Sequence, residues 1–126
     1  MTSTQTEIPT HPYPSTFVSE RPWGDFEQLS HNQTSTVKVI SVEPGARLSL
    51  QRHTSRSELW RVLDGAMDVE VDGRAWSAAG GELVWVPAGS THRMGNSGAE
   101  TARILEVAFG HFDEDDIERL QDDYER

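Results

Sequence analysis

Short segments in which apolar and polar residues alternate run through most of this 126-residue chain. In the segment TVKVISV, Val37 and Val39 fall on one face of an extended chain and Lys38 falls on the other. Similar segments follow at residues 47–51, 59–63, 67–71, 82–86 and 103–109. Because successive side chains point to opposite faces of a β-strand, this alternation predicts a series of short strands.

Turn-forming residues separate these segments. Pro-Gly stands at 44–45, Asp-Gly at 64–65 and again at 72–73, and Gly-Gly at 80–81. The Asp-Gly pair at 72–73 lies between two alternating segments and is the strongest hairpin signal in the chain. Many short strands at this spacing, without long helices between them, predict an all-β sandwich or barrel.

The two ends of the chain differ from this pattern. Residues 1–15 are rich in Thr, Ser and Pro and show no periodicity, so we predict a flexible N-terminal arm over 1–19 and one domain over 20–126. The segment 113–124 begins with acidic residues, which suit a helix N-terminus, and places Ile117, Leu120 and Tyr124 on one helical face. This pattern predicts a short C-terminal helix.

Composition excludes several classes of function. The net charge of −10 repels a phosphate backbone, so we expect no nucleic-acid partner. No apolar run approaches the roughly 18–20 residues that a membrane span needs, and the N-terminus lacks the features of a secretory signal. The chain has no cysteine, which excludes disulfides and Cys-based zinc sites and fits a cytoplasmic location.

Two blocks that each begin at a glycine, residues 45–65 and 81–96, contain four ligand-type residues: Gln51, His53, Glu58 and His92. Gln51 and His53 are two positions apart, so they project from the same face of a strand. Glu58 starts the returning strand, and a closed barrel would bring His92 to the same interior. Two imidazoles, a carboxylate and an amide oxygen can hold one divalent metal.

The two blocks resemble the paired motifs of the cupin superfamily, G-x5-H-x-H-x3–4-E-x6-G and G-x5-P-x-G-x2-H-x3-N, with Gln51 in place of the first histidine. The resemblance implies a single cupin barrel, which is a double-stranded β-helix or jelly roll. It also implies a homodimer with one divalent metal per domain. We expect zinc first, although Mn, Fe, Co and Ni accept the same nitrogen and oxygen ligands.

A narrower resemblance covers residues 20–126. The segments ERPWGDFEQL, VKVISVEPGARLSLQRH, RSELW, VPAGSTHR and FDEDDIERLQDDYER look like the type II phosphomannose isomerase domain. That domain is often the C-terminal part of bifunctional mannose-1-phosphate guanylyltransferases, whose nucleotidyltransferase part has no counterpart in these residues. The chain departs from the family at three positions, with Leu59 for His, Ala108 for Gln and Glu125 for Gly.

The resemblance implies a metal-dependent isomerase that interconverts mannose 6-phosphate and fructose 6-phosphate. Its metal ligands fall on the four residues named above, and its basic residues fall on Lys38, Arg56, Arg93 and Arg126. A metal would polarise the sugar oxygens, a base would move a proton between C1 and C2, and the basic residues would hold the phosphate. Lys38, Glu58 and metal-bound water are the candidate bases.

Two other functions fit the same motifs. Two histidines and a carboxylate also resemble the facial triad of an Fe(II)-dependent cupin oxygenase. The second alternative is a non-catalytic cupin that binds a metal and a sugar phosphate.

Overall fold

The computed structural model describes residues 4–7, 16–111 and 113–124. Twelve strands are present in this described part. They are β1 (Thr4–Glu7), β2 (Phe17–Arg21), β3 (Gly24–Gln28), β4 (Ser35–Val42), β5 (Leu50–Arg52), β6 (Arg56–Asp64), β7 (Ala66–Val71), β8 (Arg74–Ala79), β9 (Leu83–Val86), β10 (Thr91–Gly95), β11 (Ala102–Gly110) and β12 (Glu118–Gln121). Among the described residues, no helical segment has the length and apolar character that a membrane crossing requires.

Residue contacts divide the chain into two units, 1–33 and 34–126. In the first unit, β1, β2 and β3 form an antiparallel sheet in that order. The rings of Phe17 and Phe26 meet edge to face across this sheet, with centroids 6.3 Å apart. Much of the predicted arm, residues 1–3 and 8–15, lies outside the described residues, so the boundary at 19/20 stays a prediction.

The second unit consists of two antiparallel sheets. One has the strand order β12-β5-β10-β7-β8 and the other has the order β4-β11-β6-β9. From β4 onward the chain alternates between the two sheets, except that β7 and β8 form a hairpin within one of them. This alternation is the jelly-roll arrangement, and the all-β prediction is confirmed.

An apolar core fills the space between the two sheets. Trp60 and Val62 of β6 and Ile104 of β11 come from one sheet, and Met67 of β7 and Met94 of β10 come from the other. Each of these five side chains is no more than 2% exposed. Burying a side chain of this size contributes about 1.5–3 kcal/mol, so this core supplies much of the stability of the unit.

Strand alternation continues the core faces of β6 and β11 into a polar region. Glu58 lies on the same face of β6 as Trp60, and Glu106 lies on the same face of β11 as Ile104. In the antiparallel register Glu106 is opposite Trp60, so both carboxylates stand at one end of the apolar core. The fold therefore places two buried acidic groups at this end.

The predicted C-terminal helix is wrong. In place of a helix over 113–124, β12 pairs antiparallel with β5, whose other edge pairs with β10. The Asp116 carboxylate accepts hydrogen bonds from the backbone N–H and the hydroxyl of Thr54, at 3.0 and 2.8 Å, and from the N–H of Ser55, at 2.8 Å. These contacts to a distant turn outweigh the local helical pattern. The pairing of β12 with β5 adds to them, because the edge of β5 would otherwise leave backbone groups without partners.

We expect Gly110→Ala to lower the free energy of unfolding by about 2 kcal/mol. Gly110 has a φ of +100°, and a Cβ added there would lie 2.9 Å from the carbonyl oxygen of Ser55. Gly80→Ala is the matched control, since Gly80 has no positive φ and the nearest atom to an added Cβ is 3.6 Å away. Urea unfolding of both variants checks this, and equal effects would contradict it.

We expect Asp116→Asn to destabilise the protein in a pH-dependent way. The hydrogen bonds from Thr54 and Ser55 hold the pKa of Asp116 well below its ordinary value of 3.8. A carboxylate with a depressed pKa contributes stability above its ordinary pKa and loses that contribution as the pH falls below it. The stability difference from wild type should therefore be largest near neutral pH and should shrink below pH 3.8.

Thermal unfolding of the metal-free proteins across this pH range measures the difference. Asp115→Asn is the control, because it removes the same charge from the exposed neighbouring residue. A stability difference that stays constant with pH, or an equal loss in the control, would show that the ionised Asp116 carboxylate is not responsible.

Candidate metal centre

Three ligand-type side chains converge at the polar end of the core. His53 follows β5, Glu58 lies on β6 and His92 lies on β10, so both sheets of the second unit contribute. Their ligand atoms all lie within 4.8 Å of one another. The three residues are 3%, 2% and 5% exposed, respectively. Side chains that are distant in the sequence thus form one buried cluster.

The hydrogen bonds of the two histidines determine which ring nitrogen faces the cluster. His53 Nδ1 is 2.7 Å from the carbonyl oxygen of Asp116, and His92 Nδ1 is 3.3 Å from that of Ser90. A carbonyl oxygen can only accept, so Nδ1 is the donor in both rings, and in the neutral form of each ring Nε2 then keeps its lone pair. The Nε2 atoms lie 3.4 and 3.9 Å from the carboxylate oxygens of Glu58.

This donor set fits a divalent metal. Metal-binding histidines commonly donate their second N–H to a carbonyl or carboxylate, as both histidines do here. Burial lowers the pKa of His92, an effect that the nearby Glu58 opposes, so the neutral ligand form of the imidazole is favoured. Two neutral imidazoles beside a carboxylate supply the nitrogen and oxygen ligands that Zn²⁺ and similar ions use.

Gln51, the fourth predicted ligand, lies beside the cluster. It is opposite His92 in the register of β5 and β10, and it lines the same cavity. Its amide nitrogen donates a hydrogen bond of 2.9 Å to the hydroxyl of Ser49, which orients the amide group. The role of Gln51 as a ligand stays a prediction.

The cluster opens into a cavity of about 330 Å³. Its apolar wall includes Ile40, Leu48 and Trp60. Its charged lining includes four basic residues and three acidic ones: Lys38, Arg56, Arg93, Arg119, Glu58, Glu106 and Glu114. Three of the four predicted basic residues are therefore at the cavity, whereas the fourth, Arg126, lies outside the described residues.

Arg56 reaches into the ligand cluster itself. The residue is 8% exposed, and its Nη2 donates to His53 Nε2 at 3.2 Å. Its Nε donates to Glu58 Oε2 at 3.3 Å, and its Nη1 donates to the carbonyl of Asp113 at 3.1 Å. The guanidinium thus contacts two of the three convergent ligand residues and compensates the buried carboxylate of Glu58.

Arg93 and Lys38 stand on opposite sheets around the cavity. Arg93 donates to the carbonyl of Leu48 at 3.0 Å and to the side-chain and backbone oxygens of Gln121 at 3.2 and 3.3 Å, which ties β10 to β12. Lys38 is 3.6 Å from Glu114, in an ion pair that is largely exposed to solvent. The two cations therefore differ, because Arg93 is buried and hydrogen-bonded to two separate segments of the chain, whereas the Lys38 side chain is 42% exposed and pairs with an exposed carboxylate.

Glu106 is a site residue that the sequence reasoning missed. It is 7% exposed and lies opposite Lys38 in the register of β4 and β11. Burial, together with the charge of the nearby Glu58 and a hydrogen bond with it, raises its pKa from 4.5 to about 7. An acidic residue at an inward-facing position of an alternating strand is the signal that could have identified it. Arg119 was missed because its segment was predicted to be helical.

Two positions at which the chain departs from the family lie on opposite faces of the central strands. Leu59 is opposite Val107 and Trp85, on the face of β6 that points away from Glu58. Ala108, by contrast, is directly opposite Glu58. The side chain at 59 thus points away from the cluster, and the change at 108 lies beside it. Glu125 lies outside the described residues.

Comparison with known proteins agrees with this arrangement. The family described as "Mannose-6-phosphate isomerase C-terminal" matches residues 11–122. Alginate biosynthesis protein AlgA of Pseudomonas aeruginosa is 41% identical over 107 residues, which are 84% of this chain and 22% of that relative. Mannose-1-phosphate guanylyltransferase ManC of Salmonella typhimurium is 36% identical over the same lengths of chain. This chain therefore spans about a fifth of the length of these relatives.

Solved structures support the fold. A sugar phosphate isomerase of the cupin superfamily from Silicibacter pomeroyi has a TM-score of 0.57 and 28% identity, over 64% of this chain and 52% of that chain. A cupin-2 domain from Rhodospirillum rubrum has a TM-score of 0.60 and 20% identity, over 90% of this chain and 72% of that chain, and shows the fold alone. The chain belongs to the mannose-6-phosphate isomerase C-terminal family and has the cupin fold.

Proposed function

We propose that this domain is a metal-dependent isomerase that interconverts mannose 6-phosphate and fructose 6-phosphate. The observation that carries the proposal is the buried cluster of His53, Glu58 and His92 at the end of a cavity lined by basic residues. Membership of the mannose-6-phosphate isomerase C-terminal family supports the same reaction class. Because the chain spans only a fifth of its relatives, activity of this segment on its own is part of the proposal.

The ligand residues would hold one divalent metal, with Gln51 completing the set of His53, Glu58 and His92. Such a metal would polarise the C1 and C2 oxygens of the sugar. The hydrogen bonds of the two histidines to backbone carbonyls hold both rings in the orientation that keeps Nε2 directed at the cluster. The protein therefore provides ligands that are oriented before the substrate arrives.

The basic residues of the cavity would hold the phosphate of the substrate. The net charge of −10 repels a phosphorylated sugar, so binding requires a local group of cations. Lys38, Arg56 and Arg93 line the cavity, and Arg126 is proposed from its sequence position. A guanidinium can bind a phosphate through two parallel hydrogen bonds, which also orients the sugar.

Proton transfer between C1 and C2 would use a group at the cavity. Lys38, proposed from the sequence, and Glu106, found in the structure, lie opposite each other on adjacent strands and both line the cavity. As a carboxylate, Glu106 can accept and return a proton, whereas Lys38 can do so only from its uncharged amine form. Zinc as the metal, a homodimeric assembly and a cytoplasmic location remain predictions from the sequence.

We expect His92→Ala to lose bound metal and to lower isomerase turnover by about 100-fold or more. His92 supplies one of the two oriented Nε2 lone pairs, and alanine supplies no ligand. Interconversion of the two sugar phosphates and elemental analysis of the purified protein are the two measurements. His31→Ala is the matched control, because His31 is exposed and bonded to its neighbour Asn32.

Three results of this experiment separate the candidate functions. Metal-dependent turnover in the wild type supports the isomerase. Bound metal without turnover would instead identify a binding domain, an outcome for which Ala108 beside Glu58 gives a structural reason. Bound iron, with oxygen uptake in a third measurement with an oxygen electrode, would identify an oxygenase.

We expect Gln51→Ala to weaken metal affinity by about tenfold, which is less than the effect of His92→Ala. An amide oxygen is a weaker ligand than an imidazole, and Ser49 fixes the orientation of the amide. Competition with a chelator measures the affinity of each variant. Gln33→Ala, at an exposed position, is the control, and full metal affinity in Gln51→Ala would remove Gln51 from the ligand set.

A further inference from the structure

Arg56 makes a hydrogen bond that no metal-bound form of this site can keep. Its Nη2 lies 3.2 Å from His53 Nε2, and the Nδ1 of the same ring is 2.7 Å from a carbonyl oxygen. Since Nδ1 carries the proton, the guanidinium donates into the single lone pair of Nε2. That lone pair is also the one that a metal would use. The Arg56 hydrogen bond and a His53–metal bond therefore exclude each other.

The same side chain also contacts the acidic ligand. Arg56 Nε is 3.3 Å from Glu58 Oε2, and the other carboxylate oxygen, Oε1, accepts from Trp60 Nε1 at 3.0 Å. Arg56 and Glu58 are both less than 10% exposed, so the guanidinium is a buried cation that neutralises a buried carboxylate. A divalent cation bound to Glu58 would supply the same neutralisation, and two cations at this carboxylate would repel each other.

We propose that Arg56 is an exchangeable cation that a divalent metal displaces from His53 and Glu58, and that the displaced guanidinium then binds the anionic group of the substrate. This inference rests on the metal site of the proposed function. Arg56 lines the cavity, so its guanidinium can move away from His53 and Glu58 and still reach an anion bound in the cavity. Metal binding would thereby release the Arg56 guanidinium, which could then donate hydrogen bonds to a phosphate.

Exchange of this kind couples the binding of the metal to the binding of the anion. Without an anion, Arg56 competes with the metal and weakens metal binding. An anion that binds the displaced guanidinium removes the competitor, so the anion should tighten metal binding. By linkage, the metal should tighten anion binding by the same factor. A residue that merely supported Glu58 would have the opposite effect on metal affinity, because its removal would weaken binding.

Titration with Co²⁺, followed by its visible absorption in competition with a chelator, tests the proposal without measuring activity. We expect Arg56→Gln to bind Co²⁺ about tenfold more tightly than the wild type, which corresponds to the loss of one charge-assisted hydrogen bond from the metal-free site. Arg103→Gln is the matched control, since Arg103 pairs with the exposed Asp64 on the surface, and its Co²⁺ affinity should equal that of the wild type.

The anion part of the proposal is tested with inorganic sulfate, which binds Co²⁺ weakly in solution. Sulfate should tighten Co²⁺ binding by the wild type and by Arg103→Gln, and it should have no effect on Arg56→Gln. Arg56→Lys keeps the charge but loses the planar fork, so its Co²⁺ affinity should lie between those of the wild type and Arg56→Gln. If thermal unfolding shows that Arg56→Gln is not folded, Arg56→Lys provides the test instead.

Two different failures can be told apart. The exchange proposal would be overturned if Arg56→Gln and Arg56→Lys bound Co²⁺ no more tightly than the wild type. If the wild type still bound Co²⁺ more tightly than His92→Ala, the proposed metal site would stand. Equal Co²⁺ binding by the wild type and His92→Ala would overturn the metal site and, with it, both proposals.

Discussion

The buried carboxylate of Glu58 is the group on which the rest of the site depends. It is buried at the end of the apolar core, and burial of a charge costs free energy unless the charge is paired and hydrogen-bonded. Trp60 donates to one of its oxygens from the core side, and Arg56 donates to the other from the cavity side. The two histidines then place their Nε2 atoms beside it. Glu58 and the two histidines thereby supply the three convergent ligand-type groups.

In the proposed function, the cavity would combine two requirements that conflict in an acidic protein. A metal needs anionic and neutral ligands, whereas a sugar phosphate needs cations, and the chain as a whole carries a net charge of −10. The structure places the cluster of His53, Glu58 and His92 at the end of the core and basic side chains from both sheets around it. Arg56 belongs to both groups, because it contacts the ligands and lines the cavity. This double position is the physical basis of the proposed exchange.

Local pattern predicted half of the twelve strands in the described residues, namely β4, β5, β6, β7, β9 and β11, because alternation and turn residues act over a few positions. The same kind of reasoning produced the wrong C-terminal helix. Acidic residues at 113–116 suit a helix N-terminus, but Asp116 instead binds the turn at Thr54 and Ser55, and β12 pairs with β5. Neither contact could be predicted locally, since both join segments that are far apart in the sequence. The same error hid Arg119, which reaches the cavity because its segment is a strand.

The sequence by itself determined an all-β sandwich or barrel and the residue types of the candidate ligands, since strand periodicity and motif spacing are local properties. The jelly-roll topology came from the resemblance of the two motifs to the cupin superfamily. Only the tertiary structure decided which groups meet there. Glu106 faces the site because β11 pairs with β6, and His53 presents Nε2 because its Nδ1–H donates a hydrogen bond to the Asp116 carbonyl. The contact of Arg56 with His53 likewise depends on how the turn between β5 and β6 folds back. These are long-range or geometric constraints, which spacing along a chain does not encode.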